Sequence, residues 1–274
     1  MQKLCGAIAA VLAGFSPALP AQPAIEAARI APTGVLRVTF LAGNPVQART
    51  DPQTTATSGP VADITKELAR RLNVASQLSP VNGVRAVLDS VIQHTADIGF
   101  LAFDASRASE VDFTEPYELA YNTYLVRTDS PLQTVAASDR EGVRIAAVKG
   151  DSGELYLERT LRHAELKSIP GLTVDQARKL LEDHQIDAFA ANRQRLVDAA
   201  SSFLGVRVLS DNFFAVEQAL IVPKGDPARL DSLNRFLDDL RTSGFLRSAI
   251  ERARLSGVAP APNKVALPRL VPAS

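Results

Sequence analysis

FLAFDASRASEVDFTEPYE, Phe100 to Glu118, decides how the rest of the chain is read. It opens inside Asp97 to Phe103 (DIGFLAF), a short apolar run of the kind that forms a strand buried on both faces. The polar segment beyond it carries Arg107, so a guanidinium sits on a loop just past a buried strand end. In open α/β sheets that is where ligands bind. Glu110 and Asp112 offer Arg107 an ordinary surface salt bridge. The planar, permanently charged fork of donors is better suited to a ligand carboxylate, which it can hold bidentately.

Working outward, strand-like and helix-like runs alternate through most of the chain, the pattern of an α/β protein. Val35 to Ala42 reads as a first strand, and Ile64, Leu68 and Leu72 mark one face of a helix over Asp63 to Asn73. Val143 to Val148 starts a second series with a strand. A helix over Thr173 to Gln185 follows, opening on a capping box of Thr173 and Gln176, and Ile186 to Ala191 is the next strand. HTADIGFLA and HQIDAFAAN echo one another: a helix end, an aspartate, then a small apolar strand. The echo predicts two similarly built lobes. Asp97 and Asp187 are thus expected to punctuate helix-to-strand turns in separate lobes, not to form a catalytic pair. Phe213-Phe214 reads as core or hinge packing.

VKGDSGELYLERTL, Val148 to Leu161, contains the four letters that surround the nucleophile of trypsin-like proteases. That chemistry needs a histidine beside Ser152 and a carboxylate orienting it. His94 and His184 fall at the ends of amphipathic helices, and His163 follows Ser152 on the same helix. The run reads instead as a strand, a tight glycine turn and a helix beginning near Ser152 or Gly153, with Asp151 or Ser152 as the cap. Free N–H groups at such a helix start favour an anion, and Lys149 adds a positive charge beside them.

Lys plus Arg and Asp plus Glu both total 30, so the formal charge is zero, which argues against a nucleic-acid binder. Lys3, the apolar run Leu4 to Phe15 and small residues around Ala18 and Ala21 read as an export signal over residues 1–21. That run is shorter than the roughly 20 apolar residues a membrane span needs. The single cysteine, Cys5, lies inside it, so the mature chain is expected to carry no thiol or disulfide. Pro- and Ala-rich residues 256–274 are expected to be a disordered tail. No metal-ligand spacing is present, no cofactor is implied and no catalytic residue is assigned.

Several of these stretches together resemble the bacterial extracellular solute-binding proteins of family 3, the amino-acid-type periplasmic receptors of ABC importers. Arg107 stands four residues before Val111-Asp-Phe-Thr-Glu-Pro-Tyr117, as the family's arginine precedes its V-D-F-[ST]-x-P-Y run. GPVADITKELARRLN resembles the family's G-F-D-x-D-L helix, and ALIVPKGD with LNRFLDDLRTSGF resembles its closing segment. The likeness spans roughly Gly34 to Arg252.

The resemblance implies a two-lobed type II periplasmic-binding-protein fold with two hinge crossings and a central ligand cleft. Lobe one would be residues 34–119 plus 217–255 and lobe two residues 120–216, with crossings near Tyr121 and Val216. It puts Arg107 on the ligand carboxylate, with Lys149, Ser152 and Gly153 closing from the other lobe. It also implies a small carboxylate or amino-acid ligand, an ABC permease as partner, a monomer and a periplasmic location.

Departures from the family pattern fall on the ligand's amino end. Asn192 stands where the amino-acid receptors place the Asp that holds the α-ammonium, and Ala102 replaces a threonine expected before the arginine. Asn can accept a bond from an ammonium but offers no compensating charge. With Arg107 and Lys149 both cationic, an anionic ligand fits, while Asp104 or Glu217 could restore the balance. The same fold also hosts periplasmic enzymes such as the cyclohexadienyl dehydratases. On that alternative Asp104 or Glu217 would supply the acid or base.

Overall fold

The computed structural model describes residues 22–262. Helix α1 (Gln22–Ile30) leads into β1 (Val35–Leu41), the short β2 (Arg49–Thr50) and β3 (Thr57–Ser58), α2 (Pro60–Leu72), β4 (Ala75–Val81), α3 (Val84–Ile92), β5 (Ile98–Ala102), β6 (Val111–Phe113) and β7 (Glu118–Arg127). Next come β8 (Arg144–Val148), α4 (Ser152–Thr160), β9 (Glu165–Ile169), α5 (Val174–Glu182), β10 (Ala188–Asn192), α6 (Arg193–Ser202) and β11 (Val206–Val208). The described chain ends with β12 (Phe214–Pro223), α7 (Pro227–Thr242), α8 (Phe245–Arg252) and β13 (Val258–Pro260).

One curled sheet runs through both lobes in the order β4-β1-β5-β12-β7-β10-β8-β9, with β6 on β12 and both β11 and β13 on β7. In the first lobe β1 is flanked in parallel by β4 and β5; in the second β8 is flanked in parallel by β9 and β10. Each lobe therefore repeats one strand-helix-strand-helix-strand unit. The sequence echo lands on its last turn. His94 and His184 both adopt left-handed backbone, φ 56 and 52, just past the ends of α3 and α5. Asp97 and Asp187 then each grip an arginine in the first part of the neighbouring strand: Asp97 on Arg37 of β1, Asp187 on Arg144 of β8.

Apolar spacing dictates the packing. Val61, Ile64, Leu68 and Leu72 of α2 join Leu36, Val38 and Phe40 of β1 and Leu233, Leu237 and Leu240 of α7 in the largest cluster of the first lobe. Ile145, Ala147, Tyr124 and Leu157 centre one cluster of the second lobe, and Phe189, Leu181 and Leu196 another. Thr173 and Gln176 form the expected capping box on α5.

The lobes are joined where β7 and β12 run antiparallel, from Phe214 opposite Asn122 to Gln218 opposite Glu118. Tyr121 faces Ala215 and Val216 faces Ala120 in this ladder. Phe213 stacks on Tyr124 at 4.9 Å and Phe214 on Tyr156 at 4.3 Å, tying the crossing to α4. These rings pack the hinge.

One expectation is corrected at the C-terminus. The composition of residues 256–262 predicts a disordered tail, but Val258, Ala259 and Pro260 pair with Ala120, Leu119 and Glu118 as a third strand beside the crossing. A proline ends this strand at the sheet's edge, where no ladder hydrogen bond is lost. The remainder of the tail and the expected signal at 1–21 lie outside the described residues. Helix α1 was not expected; Ile30 is buried against the first-lobe core.

Candidate ligand site

The polar groups converge at the strand ends between the lobes. From the first lobe comes Arg107, only 5% exposed, in a single helical turn just beyond β5. Its Nη1 donates to the Ala102 carbonyl at 2.8 Å and lies 3.3 Å from the Ser152 hydroxyl of the second lobe. Its Nη2 donates to the Gly150 carbonyl at 2.8 Å. Burial lowers the guanidinium's pKa, and Asp104 and Asp151 pull it back up. It stays charged at any physiological pH.

The second lobe answers with the start of α4. Gly150 has φ 84, a left-handed turn that glycine makes without steric cost, and α4 begins at Ser152. A Cβ at Gly153 would stand 3.1 Å from Asn122 Oδ1, so the glycine lets α4 settle against the crossing strand. Ser152 faces Arg107, and His94, His163 and His184 are all exposed and absent from the cavity lining. Ser152 has no base and is not set up as a nucleophile.

The other expected site residues are placed as follows. Asn192 caps α6, accepting the Arg195 amide at 2.9 Å on Oδ1, while its Nδ2 reaches Asn44 Oδ1 across the lobes at 3.3 Å. Lys149 is exposed and outside the cavity lining. The strand brings Val148 to the cavity and turns its neighbour away. Asp104 is 6% exposed, accepts from the Ser106 amide and hydroxyl at 3.0 and 2.6 Å, and pairs with Arg159 of α4 at 3.3 Å. Burial alone would raise its pKa; the Ser106 bonds and the Arg107 and Arg159 charges outweigh this and hold it low. Asp104 is thus an ionised bridge between the lobes. Val216 and Gln218 line the cavity, so strand alternation turns Glu217 to the opposite face.

Two groups at the cavity were not anticipated. Arg195, in the first turn of α6, stands there as the second cation in place of Lys149, donating to the Gly43 carbonyl at 3.3 Å. Asp151 occupies the cap position of α4 without using its side chain as a cap, and its Oδ2 lies 3.7 Å from Arg195 Nη1. Arg195 was visible as a basic residue in DAFAANRQRL, and the Asn192 cap is the local signal that turns it toward the cleft.

The enclosed space among Arg107, Asp151, Ser152, Asn192 and Gln218 is about 60 Å³. A larger chamber of about 680 Å³ lies beside it, lined by Phe40, Pro45, Val174 and Phe203 and crossed by the Arg49–Asp198 pair. Arg195 borders both. The small space carries the converging charges. Among the described residues no group of side chains could hold a metal, and no helix is long and apolar enough to cross a membrane.

Residues 36–253 match the family model for bacterial extracellular solute-binding proteins, family 3. The chain belongs to that family. A search of curated proteins finds no match. Among solved structures, this solute-binding protein is similar to a mutant of ArgBP from T. maritima, at 21% identity and TM-score 0.67, over 84% of this chain and 99% of that one. It is similar to a putative ABC-transporter binding component from Wolinella succinogenes complexed with lysine, at 21% identity and TM-score 0.68, over 80% and 95% of the two chains. It is also similar to an ancestral amino-acid-binding protein described as a precursor of cyclohexadienyl dehydratase, at 22% identity and TM-score 0.68, over 81% and 96%. The solute-binding fold here is that of type II periplasmic binding proteins.

Proposed function

We propose that this solute-binding protein is exported to the periplasm and captures a small carboxylate-bearing solute, an amino acid or related organic acid. It then hands the solute to an ABC permease of the inner membrane. The observation that carries the reading is Arg107, a buried guanidinium whose donors already cross the cleft to Gly150 and Ser152. A ligand carboxylate that takes over those donors would also meet the free N–H groups at the start of α4. Arg107 and Ser152 are the primary grip, with Gly153 keeping the helix start close. Lys149 would act only by long-range attraction. Closure follows to the extent that the ligand prefers the closed arrangement.

Structural neighbours complexed with lysine or arginine make those two amino acids the first probes. The test is calorimetry on wild type and Arg107→Ala. A charge-assisted bond is worth roughly 1.5–3 kcal/mol, so the variant should bind at least about tenfold more weakly. Equal affinity would remove Arg107 from the site.

The dehydratase alternative rests on the similarity to the ancestral precursor. It requires an acid or base facing the reacting atoms. Asp104 is committed to Ser106 and Arg159, and Glu217 faces away from the cavity, so the binding reading is the better supported. Turnover of prephenate or arogenate would reverse that preference.

A further inference from the structure

Several acidic and amide side chains at or near the cavity could receive a ligand ammonium, and they differ in how fully their oxygens are engaged. Asn192 is engaged at both ends: its oxygen caps α6 and its nitrogen donates to Asn44. Both oxygens of Glu154 are engaged as well, Oε1 accepting from Ser168 Oγ at 2.5 Å and Oε2 from the Gly150 amide at 3.1 Å. Asp104 is held by Ser106 and Arg159. Among the carboxylates Asp151 is the exception. Among the described residues its carboxylate accepts no hydrogen bond, and its one ion pair, to Arg195, is 3.7 Å long. Its side chain remains 40% accessible although it lines the cavity.

The position of Asp151 matters as much as its loose pairing. Gly150 and Ser152, on either side of it in sequence, both contact Arg107. Asp151 lines the same small cavity as Arg107, so a carboxylate seated on Arg107 would hold an amino group on the adjacent carbon in the space that Asp151 borders. An ammonium donating directly to a carboxylate makes a short charge-assisted bond, stronger than a long ion pair with a guanidinium. Arg195 can release Asp151 without being stranded, because it borders the larger open chamber and already donates to the Gly43 carbonyl.

We infer that Asp151 is the specificity residue for the ligand's amino group, supplying the compensating charge that the amide at Asn192 does not offer. The solute is then an α-amino acid, not a simple organic acid. This rests on the carboxylate-binding reading above. Asp151 and Ser152 would work as a pair at one helix start, the first holding the cation of the ligand and the second its anion.

The experiment compares the purified protein's affinity for L-arginine, L-lysine and L-glutamine with that for 5-guanidinopentanoate, 6-aminohexanoate and 4-carbamoylbutanoate, which lack the α-amino group. Wild type should prefer at least one amino form by roughly tenfold or more. Asp151→Asn, checked for an unchanged melting curve, should bring the two forms to within about threefold, and Asp151→Ser should do the same. Preference retained in both variants overturns the assignment of Asp151. Equal binding of both forms by wild type overturns it too, while leaving the carboxylate reading in place. No binding of either form by wild type overturns both.

Discussion

Asp97 holds Arg37 twice over, accepting its backbone amide on Oδ2 at 2.9 Å and its guanidinium on Oδ1 at 2.6 Å. Asp187 holds Arg144 in the same way, at 2.9 and 3.1 Å. Each aspartate fixes the turn that delivers a central strand to the cleft. Asp97→Ala leaves a strand amide without its partner and should cost roughly 2–3 kcal/mol, with a drop in Tm of about 5–10 °C. Thermal melts of Asp97→Ala and Asp187→Ala should show comparable losses; a neutral result at both sites would mean the turns hold themselves.

Asp104 and Arg159 link the lobes at 3.3 Å. Because the folded protein holds the Asp104 pKa below its ordinary value, this bridge is complete above the usual aspartate range and is lost as pH falls through the lowered value. Asp104→Asn should loosen closure at neutral pH. Small-angle scattering should report a larger radius of gyration for the variant than for wild type, and the difference should shrink in strong acid. Identical profiles at neutral pH would show that the bridge does not hold the lobes.

Glu118 lies fully buried on the crossing strand, and neither of its carboxylate oxygens has a hydrogen-bond partner among the described residues. Burial pushes its pKa well above the ordinary value, and Tyr117 beside it offsets only part of the rise. The folded state therefore binds the proton that the unfolded chain releases, so stability falls as pH rises above the unfolded glutamate value. Glu118→Gln should remove that penalty, adding about 1–3 kcal/mol at pH 7 and close to nothing at pH 4. Denaturant titrations at the two pH values test it, and a gain independent of pH would refute the mechanism.

Ser152 contributes one hydroxyl to Arg107. Ser152→Ala should weaken ligand binding by roughly 0.5–1.5 kcal/mol in calorimetry. Wild type should resist a fluorophosphonate probe, since no histidine lines the cavity. Covalent labelling of Ser152 would revive the hydrolase reading.

Local rules made the fold and half of the candidate site legible. The turn before each aspartate repeats because a helix end, a left-handed residue and a carboxylate grip form one local device, so HTADIGFLA and HQIDAFAAN could be matched by eye. Arg107 was legible because a polar loop after a buried strand has few other places to go. Arg195 was not, because its aim depends on the Asn192 cap and on Gly43 in the other lobe, more than a hundred residues away. Asp151 was seen as a candidate cap, and sequence could not show that its side chain would turn from its helix to the cavity. Strand β13 was missed because a Pro- and Ala-rich tail carries no strand signal of its own; its partner, β7, supplies the order.

On the proposed reading, the bond from Arg107 to the Gly150 carbonyl makes solute capture an exchange reaction. An incoming molecule does not meet an idle guanidinium; it must replace a neutral acceptor belonging to the chain itself. A carboxylate makes that replacement favourable, because a hydrogen bond to an ionised oxygen is roughly twice as strong as one to an amide carbonyl. An ester or an amide offers no better an acceptor than Gly150 and gains nothing by the swap. The backbone carbonyl is thereby a reference against which every candidate is compared. Esterified or amidated forms of a good ligand should be turned away even where the rest of the molecule fits.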